Sequence, residues 1–281
     1  MIEVKHLVKR YGTYTAVNNI SFEAAPGEIV GLLGPNGAGK TTTMRILTGF
    51  MPPSEGSVKV EGFDVLQDSL AVRQRVGYLP ERAPVYLDMT VQGYLTFWAK
   101  LRGMKKPDKQ VDQMLERFSL GDRRNKLVRS LSKGLRQRLG LAQALVHNPP
   151  VVILDEPTIG IDPQQVIEVR ETVRALRENH TVLFSSHILS EVEHVCDRVI
   201  IIHKGKVMAS GTPQQLAKKY KPGVHLYVSL SGRNKEEIRG LLARLGKVET
   251  IREQGEGFVL SSRKDADLRA DVNTLITQQH L

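Results

Sequence analysis

The sequence predicts an α/β protein with a phosphate-binding core, an antiparallel β part at its N-terminus, an inserted helical subdomain and a small C-terminal α+β appendage. Three observations carry that prediction. Residues 34–42 form a glycine-rich loop between a strand-like apolar run and a helix-like run. The apolar period becomes helical over residues 90–146 and returns to continuous apolar runs after Pro149 and Pro150. Beyond residue 222 the patterning reads β-α-β-β-α.

Taken in order, residues 2–7 alternate as a strand, residues 16–24 are strand-like, and Pro26 with Gly27 marks a turn. Residues 29–33 are a short apolar strand running into the loop, and residues 43–47 continue from it as helix. Short strands broken by Gly62 and Gly77 are expected between residues 57 and 78. The helical subdomain, about residues 90–148, shows its period in Tyr94, Phe97, Trp98 and Leu101, then Val111, Leu115 and Phe118, then Leu139, Leu141, Ala142 and Leu145. Residues 151–154, 182–185 and 199–203 are the continuous apolar runs expected of buried parallel strands, with helices at 164–177 and 189–195 between them. The lysines, proline and glycine of residues 218–223 read as a boundary, dividing a domain of residues 1–220 from an accessory domain of residues 222–281. In the accessory part, residues 225–230, 247–252 and 257–261 read as strands and residues 235–245 and 267–278 as helices.

The loop reads Gly34, Pro35, Asn36, Gly37, Ala38, Gly39, Lys40, Thr41, Thr42, which is G-x-x-x-x-G-K-T in the strand-to-helix context that this motif requires. Its glycines let backbone N–H groups converge on a polyphosphate, and the positive end of the following helix attracts the same charge. Lys40 is placed to reach the β- and γ-phosphates and Thr41 to offer its hydroxyl to Mg²⁺. Asp155 and Glu156 end an apolar strand, a position suited to holding Mg²⁺ through water and to orienting an attacking water.

Composition limits the alternatives. A chain of 281 residues holds one large domain and a small appendage. No run of about eighteen apolar residues occurs, and the first residues lack the apolar core of a signal peptide, so a cytoplasmic protein that does not itself span a membrane is expected. The lone Cys196 sits among apolar neighbours on a helical stretch, as a buried structural thiol does. The net charge of +10 is uneven: residues 101–150 carry 12 Lys/Arg against 4 Asp/Glu, or +8, and residues 151–215 carry 6 against 9, or −3. The basic stretch suits phosphates of nucleic acid or anionic lipid, or a plain solvated helical face.

Four further segments choose among nucleotide-binding classes: Leu131-Ser132-Lys133-Gly134-Leu135-Arg136-Gln137-Arg138 ahead of a helix, the strand ending in Asp155 and Glu156, Gly160-Ile161-Asp162, and Ser185-Ser186-His187. In this order and spacing the set closely resembles the nucleotide-binding subunit of an ABC transporter, over roughly residues 1–215. The resemblance implies an ATPase using ATP and Mg²⁺, with Glu156, His187 and Lys40 catalytic and Thr41, Asp155 and Glu81 at the metal. It implies Tyr11 stacking on adenine, and Ser132, Gly134 and Asp162 contacting ATP across a dimer of two such subunits. Three departures stand out: Lys133 replaces the usual glycine, Leu135 follows where many relatives differ, and Glu81 stands where a glutamine is usual, which with the segment after it looks most like the type-2 exporter class. The resemblance further implies separate transmembrane permease subunits, a peripheral position on the cytoplasmic face of the membrane, and a coupling role for residues 81–98, with Tyr86 and Leu87 at the docking surface. Many relatives continue through one more strand and helix, so the end at Leu281 is compatible with a shortened chain. The rival reading is a soluble ABC ATPase acting on nucleic acid or ribosomes through the +8 stretch; the doubled nucleotide domain or long coiled-coil insertion usual in such proteins is not visible.

Overall fold

A computed structural model describes residues 1–220, 225–229, 234–262 and 267–279. The chain divides into two units, Met1–Pro213 and Gln214–Leu281.

In the first unit, β1 (Ile2–Tyr11) and β2 (Tyr14–Ala24) form a hairpin whose turn holds Gly12 at φ 56, with Tyr11 opposite Tyr14. Then come β3 (Ile29–Leu33), α1 (Lys40–Leu47), β4 (Glu55–Val60), β5 (Phe63–Asp64), α2 (Ser69–Arg75) and β6 (Val76–Leu79). The sheet β2-β1-β4-β5 is the expected antiparallel part. Helix α2 replaces strand structure expected between residues 57 and 78. It is short and buries only Val72, so it offers too few apolar positions to show a period.

The helical stretch contains α3 (Val91–Leu101), α4 (Asp108–Arg117) and α5 (Lys133–Leu145). Thr90 caps α3, its hydroxyl accepting from the N–H of Gly93, and Tyr94 and Leu95 pack wholly inside. After it come β7 (Val151–Leu154), α6 (Pro163–Arg174), β8 (Thr181–Ser186), α7 (Leu189–Val195), β9 (Arg198–His203) and β10 (Lys206–Gly211). The main sheet runs β10-β9-β3-β8-β7-β6. It is parallel except for β10, a hairpin partner of β9 that the sequence reading passed over. Strands β7 and β8 are buried at every position, which is why they read as unbroken apolar runs. Register aligns Leu33 with Ser186 and Leu154 with Phe184, bringing the C-terminal ends of β3, β7 and β8 to one edge of the sheet. In open parallel sheets that edge is where ligands bind. Cys196 is buried, and burial pushes its thiol pKa up, as suits a packing residue.

The division between units falls ahead of the boundary read at residues 218–223. Pro213 opens a helix, α8 (Pro213–Tyr220), since its fixed φ and missing N–H suit a first helical position. Residues 221–224, the heart of that boundary, lie outside the described residues, as do Leu230 and Leu281. The second unit contains β11 (His225–Val228), α9 (Lys235–Ala243), β12 (Val248–Gln254), β13 (Gly257–Ser262) and α10 (Arg269–Gln279), with sheet order β11-β13-β12. It has its own core of Val228, Ile238, Leu242, Phe258, Leu260, Leu268 and Val272.

Candidate functional site

Strand β3 delivers the chain to Gly34, whose N–H bonds the carbonyl of Ser186 at 3.3 Å; a Cβ there would collide with the carbonyl of Ile202. The turn then needs left-handed backbone at Gly37 (φ 76) and Gly39 (φ 106), and a Cβ on Gly39 would stand 2.6 Å from the carbonyl of Ala16. Gly39 caps α1 without a side-chain hydrogen bond, and the first turn of that helix carries no acid. Its positive end is therefore left for an external anion.

A groove of about 400 Å³ opens over this turn. Tyr11, Asn36, Gly37, Ala38, Gly39, Lys40, Thr41, Thr42, Glu81 and Glu156 line it, together with Tyr14, Ala16 and Ile159. Lys40 is buried; its ammonium donates to the carbonyls of Gly34 (2.7 Å) and Pro35 (3.3 Å) and lies 3.2 Å from Oε1 of Glu156. The other carboxylate oxygen of Glu156 is 2.9 Å from Nδ1 of His187, within reach of an imidazole N–H. Glu156 sits at φ 50, a conformation costing about 1–2 kcal/mol for a non-glycine residue. It is held there by a bond from its N–H to Oγ of Ser185 at 2.9 Å.

Asp155 is fully buried behind Glu156. Its Oδ1 accepts from Oγ of Ser185 at 2.7 Å, while Oδ2 has no hydrogen-bond partner. Burial pushes the Asp155 carboxyl up and the Glu156 and Glu81 carboxylates add to that, against the bond from Ser185 and the nearby Thr41 hydroxyl. An acid with a bare buried oxygen and raised pKa is one whose charge a cation would stabilise.

Ser132, Gly134 and Asp162 do not line this groove. Ser132 is the exposed N-cap of α5, its Oγ accepting from the N–H of Leu135, and Asp162 is the exposed N-cap of α6, accepting from the N–H of Gln165 at 3.0 Å.

Sequence reasoning missed several supporting residues. Tyr14 carried a usable signal, since Tyr11-Gly12-Thr13-Tyr14 is a tight hairpin that pairs the two residues across the ladder. Glu191 carried none: it is a buried acid whose Oε2 accepts from Thr158 (2.8 Å) and Ser186 (2.5 Å), tying the Glu156 loop to the end of β8.

A second, apolar groove of about 710 Å³ lies on the same unit, lined by Phe50, Leu70, Arg73, Tyr78, Trp98, Leu101 and Arg102 among others. Phe50, Leu70 and Leu101 are 71%, 73% and 62% exposed, and burial pushes the Tyr78 phenol up to about 12. Of residues 81–98, Trp98 reaches the groove. Tyr86 and Leu87 do not; Tyr86 packs edge-on against Phe97, ring centroids 5.6 Å apart.

Residues 17–159 match the family described as ABC transporter, just over half the chain. The chain belongs to that family. It is 38% identical over 240 residues to the bacitracin transport ATP-binding protein BcrA of Bacillus licheniformis, spanning 85% of this chain and 78% of that protein. Over 237 residues it is 36% identical to the linearmycin resistance ATP-binding protein LnrL of Bacillus subtilis (strain 168), spanning 83% and 76%. Its fold matches the solved ATP-binding subunit of an ABC transporter with a TM-score of 0.72 at 28% identity, over 87% of this chain and 100% of that one. A dimeric ATP-binding cassette bound to ADP and Pi shares the fold at a TM-score of 0.68 and 24% identity. This ABC chain is an ATP-binding, ATP-hydrolysing subunit. Among its described residues no helix is long and apolar enough to cross a membrane.

Proposed function

We propose that two copies of this ATPase subunit, or one with a homologue, sandwich two ATP·Mg²⁺ and so power export through separate permease subunits on the cytoplasmic face of a membrane. The observation that carries this is the chain of contacts from buried Lys40 through buried Glu156 to the exposed His187, 3.2 and 2.9 Å, over a phosphate-binding turn. Lys40 binds the β- and γ-phosphates; as it turns to them, Glu156 is released to accept a proton from, or orient, the attacking water, and His187 holds its other oxygen. Tyr11, with Tyr14 beside it, offers an aromatic surface to the adenine.

Mg²⁺ fits the donor set. The hydroxyl of Thr41, Oδ2 of Asp155 and the Glu81 carboxylate are hard oxygen donors, and among the described residues no group of three or more His, Cys, Asp or Glu could hold a metal without phosphate oxygens. Bound there, the ion would polarise the phosphates. Ser132 and Asp162, exposed and away from this groove, suit contact with the ATP of a second copy; Gly134, two residues after Ser132, is also away from the groove but buried, with the Gln165 side chain against it.

The apolar groove beside Trp98 suits a short permease helix better than the Tyr86 segment does, because it is concave and presents three largely exposed hydrophobic side chains. The rival role on nucleic acid loses ground: Arg124, Arg129 and Arg138 of the +8 stretch pair with Asp112, Asp88 and Glu168.

Glu156→Gln tests the chemistry. ATP binding should persist, turnover should fall by about 10²–10⁴ as for a lost acid–base group, and an ATP-bound dimer should accumulate on size exclusion. Near-normal turnover sinks the assignment.

A further inference from the structure

The turn that opens α5 and the loop that opens α6 interlock through two glycines. Gly160 has left-handed backbone (φ 67), and the ammonium of Lys133 lies over it so closely that a Cβ at Gly160 would collide with Nζ. In return, the side-chain amide of Gln165 lies against Gly134, where a Cβ would collide with Oε1. Each segment thus lends a long polar side chain to a glycine of the other. Below this crossing Nε2 of Gln137 donates to the buried carbonyl of Pro157 at 2.7 Å, next to Glu156, and Arg138 pairs with Glu168 further along the two helices.

Helix stability does not account for Lys133. It stands at the first position of α5, with no acid in the first turn, where a cation opposes the helix dipole. Its placement makes sense as a bridge to Gly160. Ser132 and Asp162, the exposed caps of the two joined segments, flank the crossing.

We propose that Lys133 and Gln165 are positioning residues that clamp the Ser132 turn to the Asp162 loop, so that both present themselves to a second subunit as one rigid surface. The clamp also gives a path in cis: a shift at Glu156 and Pro157 passes through Gln137 to α5 and through the Lys133–Gly160 contact to the Asp162 loop. Rigid presentation lowers the ordering cost of association, so losing it weakens the ATP-bound dimer without touching nucleotide binding by a single chain. The proposal rests on the reading that Ser132 meets the ATP of a second copy.

The test uses the full chain carrying Glu156→Gln and measures the ATP concentration giving half-maximal dimer by light scattering, beside the affinity of the single chain for a fluorescent ADP analogue. Lys133→Gly and Gln165→Ala should each raise the half-maximal ATP about tenfold, as contacts within one network do, and leave ADP affinity unchanged. Lys133→Arg, which keeps a long cationic side chain, should restore most of the loss. Unchanged midpoints in both variants overturn the clamp. Ser132→Glu, which sets a negative charge where a γ-phosphate is expected, separates the two readings. If it abolishes the dimer while the clamp variants do nothing, only the clamp fails; if it too leaves the dimer intact, the reading of Ser132 fails and the clamp with it.

Discussion

The two grooves of the first unit are built on opposite principles. The nucleotide groove is made of backbone and paired charge: three glycines that admit no Cβ or hold positive φ, and a buried lysine, glutamate and aspartate held by one another and by Ser185. The apolar groove is made of side chains left in water, Phe50, Leu70 and Leu101, rimmed by Arg73 and Arg102, which make no ion pair among the described residues. Arg73 donates instead to the carbonyl of Gly49 at 2.8 Å, and Arg102 to that of Arg73. The first groove is preorganised for a small, highly charged ligand, and removing one member leaves another charge buried without its partner. The second pre-pays nothing and gains only when a partner covers it.

That difference sets the order of expected effects. Lys40→Ala removes the single cation of the phosphate turn and leaves Oε1 of Glu156 facing the phosphates without its ammonium partner. ATP affinity should fall by about 10²–10³-fold, as when one preorganised donor is lost, read by equilibrium binding. Retained affinity would mean that the backbone N–H groups alone hold the phosphates.

Leu101→Glu tests the other groove. It removes an exposed apolar contact and puts a charge where an apolar helix is expected to sit. Permease-stimulated ATPase activity should drop about tenfold or more, as at an interface hot spot, while the isolated subunit's rate stays the same. Tyr86→Glu is the control: because Tyr86 packs on Phe97 outside the groove, it should uncouple less. The reverse ranking would return docking to the Tyr86 segment.

Legibility follows the same contrast. Residues 34–42 could be read because the turn tolerates only glycine where φ is positive or a carbonyl approaches, and geometry writes such constraints into residue type. Asp155 and Glu156 could be read because a strand buried at every position makes an acid at its end conspicuous. Glu191 could not, because its role depends on Thr158 and Ser186 arriving from other segments and an acid on a short helix looks like surface. Nor could the apolar groove: Phe50 follows α1, Leu70 lies on α2 and Leu101 ends α3, and each alone is an unremarkable exposed hydrophobic residue. Glu81 was found by its position in a motif, and the groove it lines explains how a carboxylate there affects Asp155.

The smallest effect is expected from the second unit. Every residue lining the nucleotide groove lies between Tyr11 and Ile159, and the core behind it, from Ile2 to Ile202, is complete before Pro213. The second unit packs Phe258, Leu260 and Leu242 in a core of its own. If the two are separate domains, a chain ending at Tyr220 should fold with a melting temperature close to that of the full chain's first transition and bind ATP within about twofold of the full chain, the scatter expected for distant, independent sites. What should change is partner assembly or regulation, measured as permease copurification and stimulation. A shortened chain that folds by far-UV circular dichroism but no longer binds ATP would place part of the nucleotide site's support beyond Tyr220. It would also erase the contrast between the two grooves, since the preorganised one would then depend on a segment that contributes no lining residue.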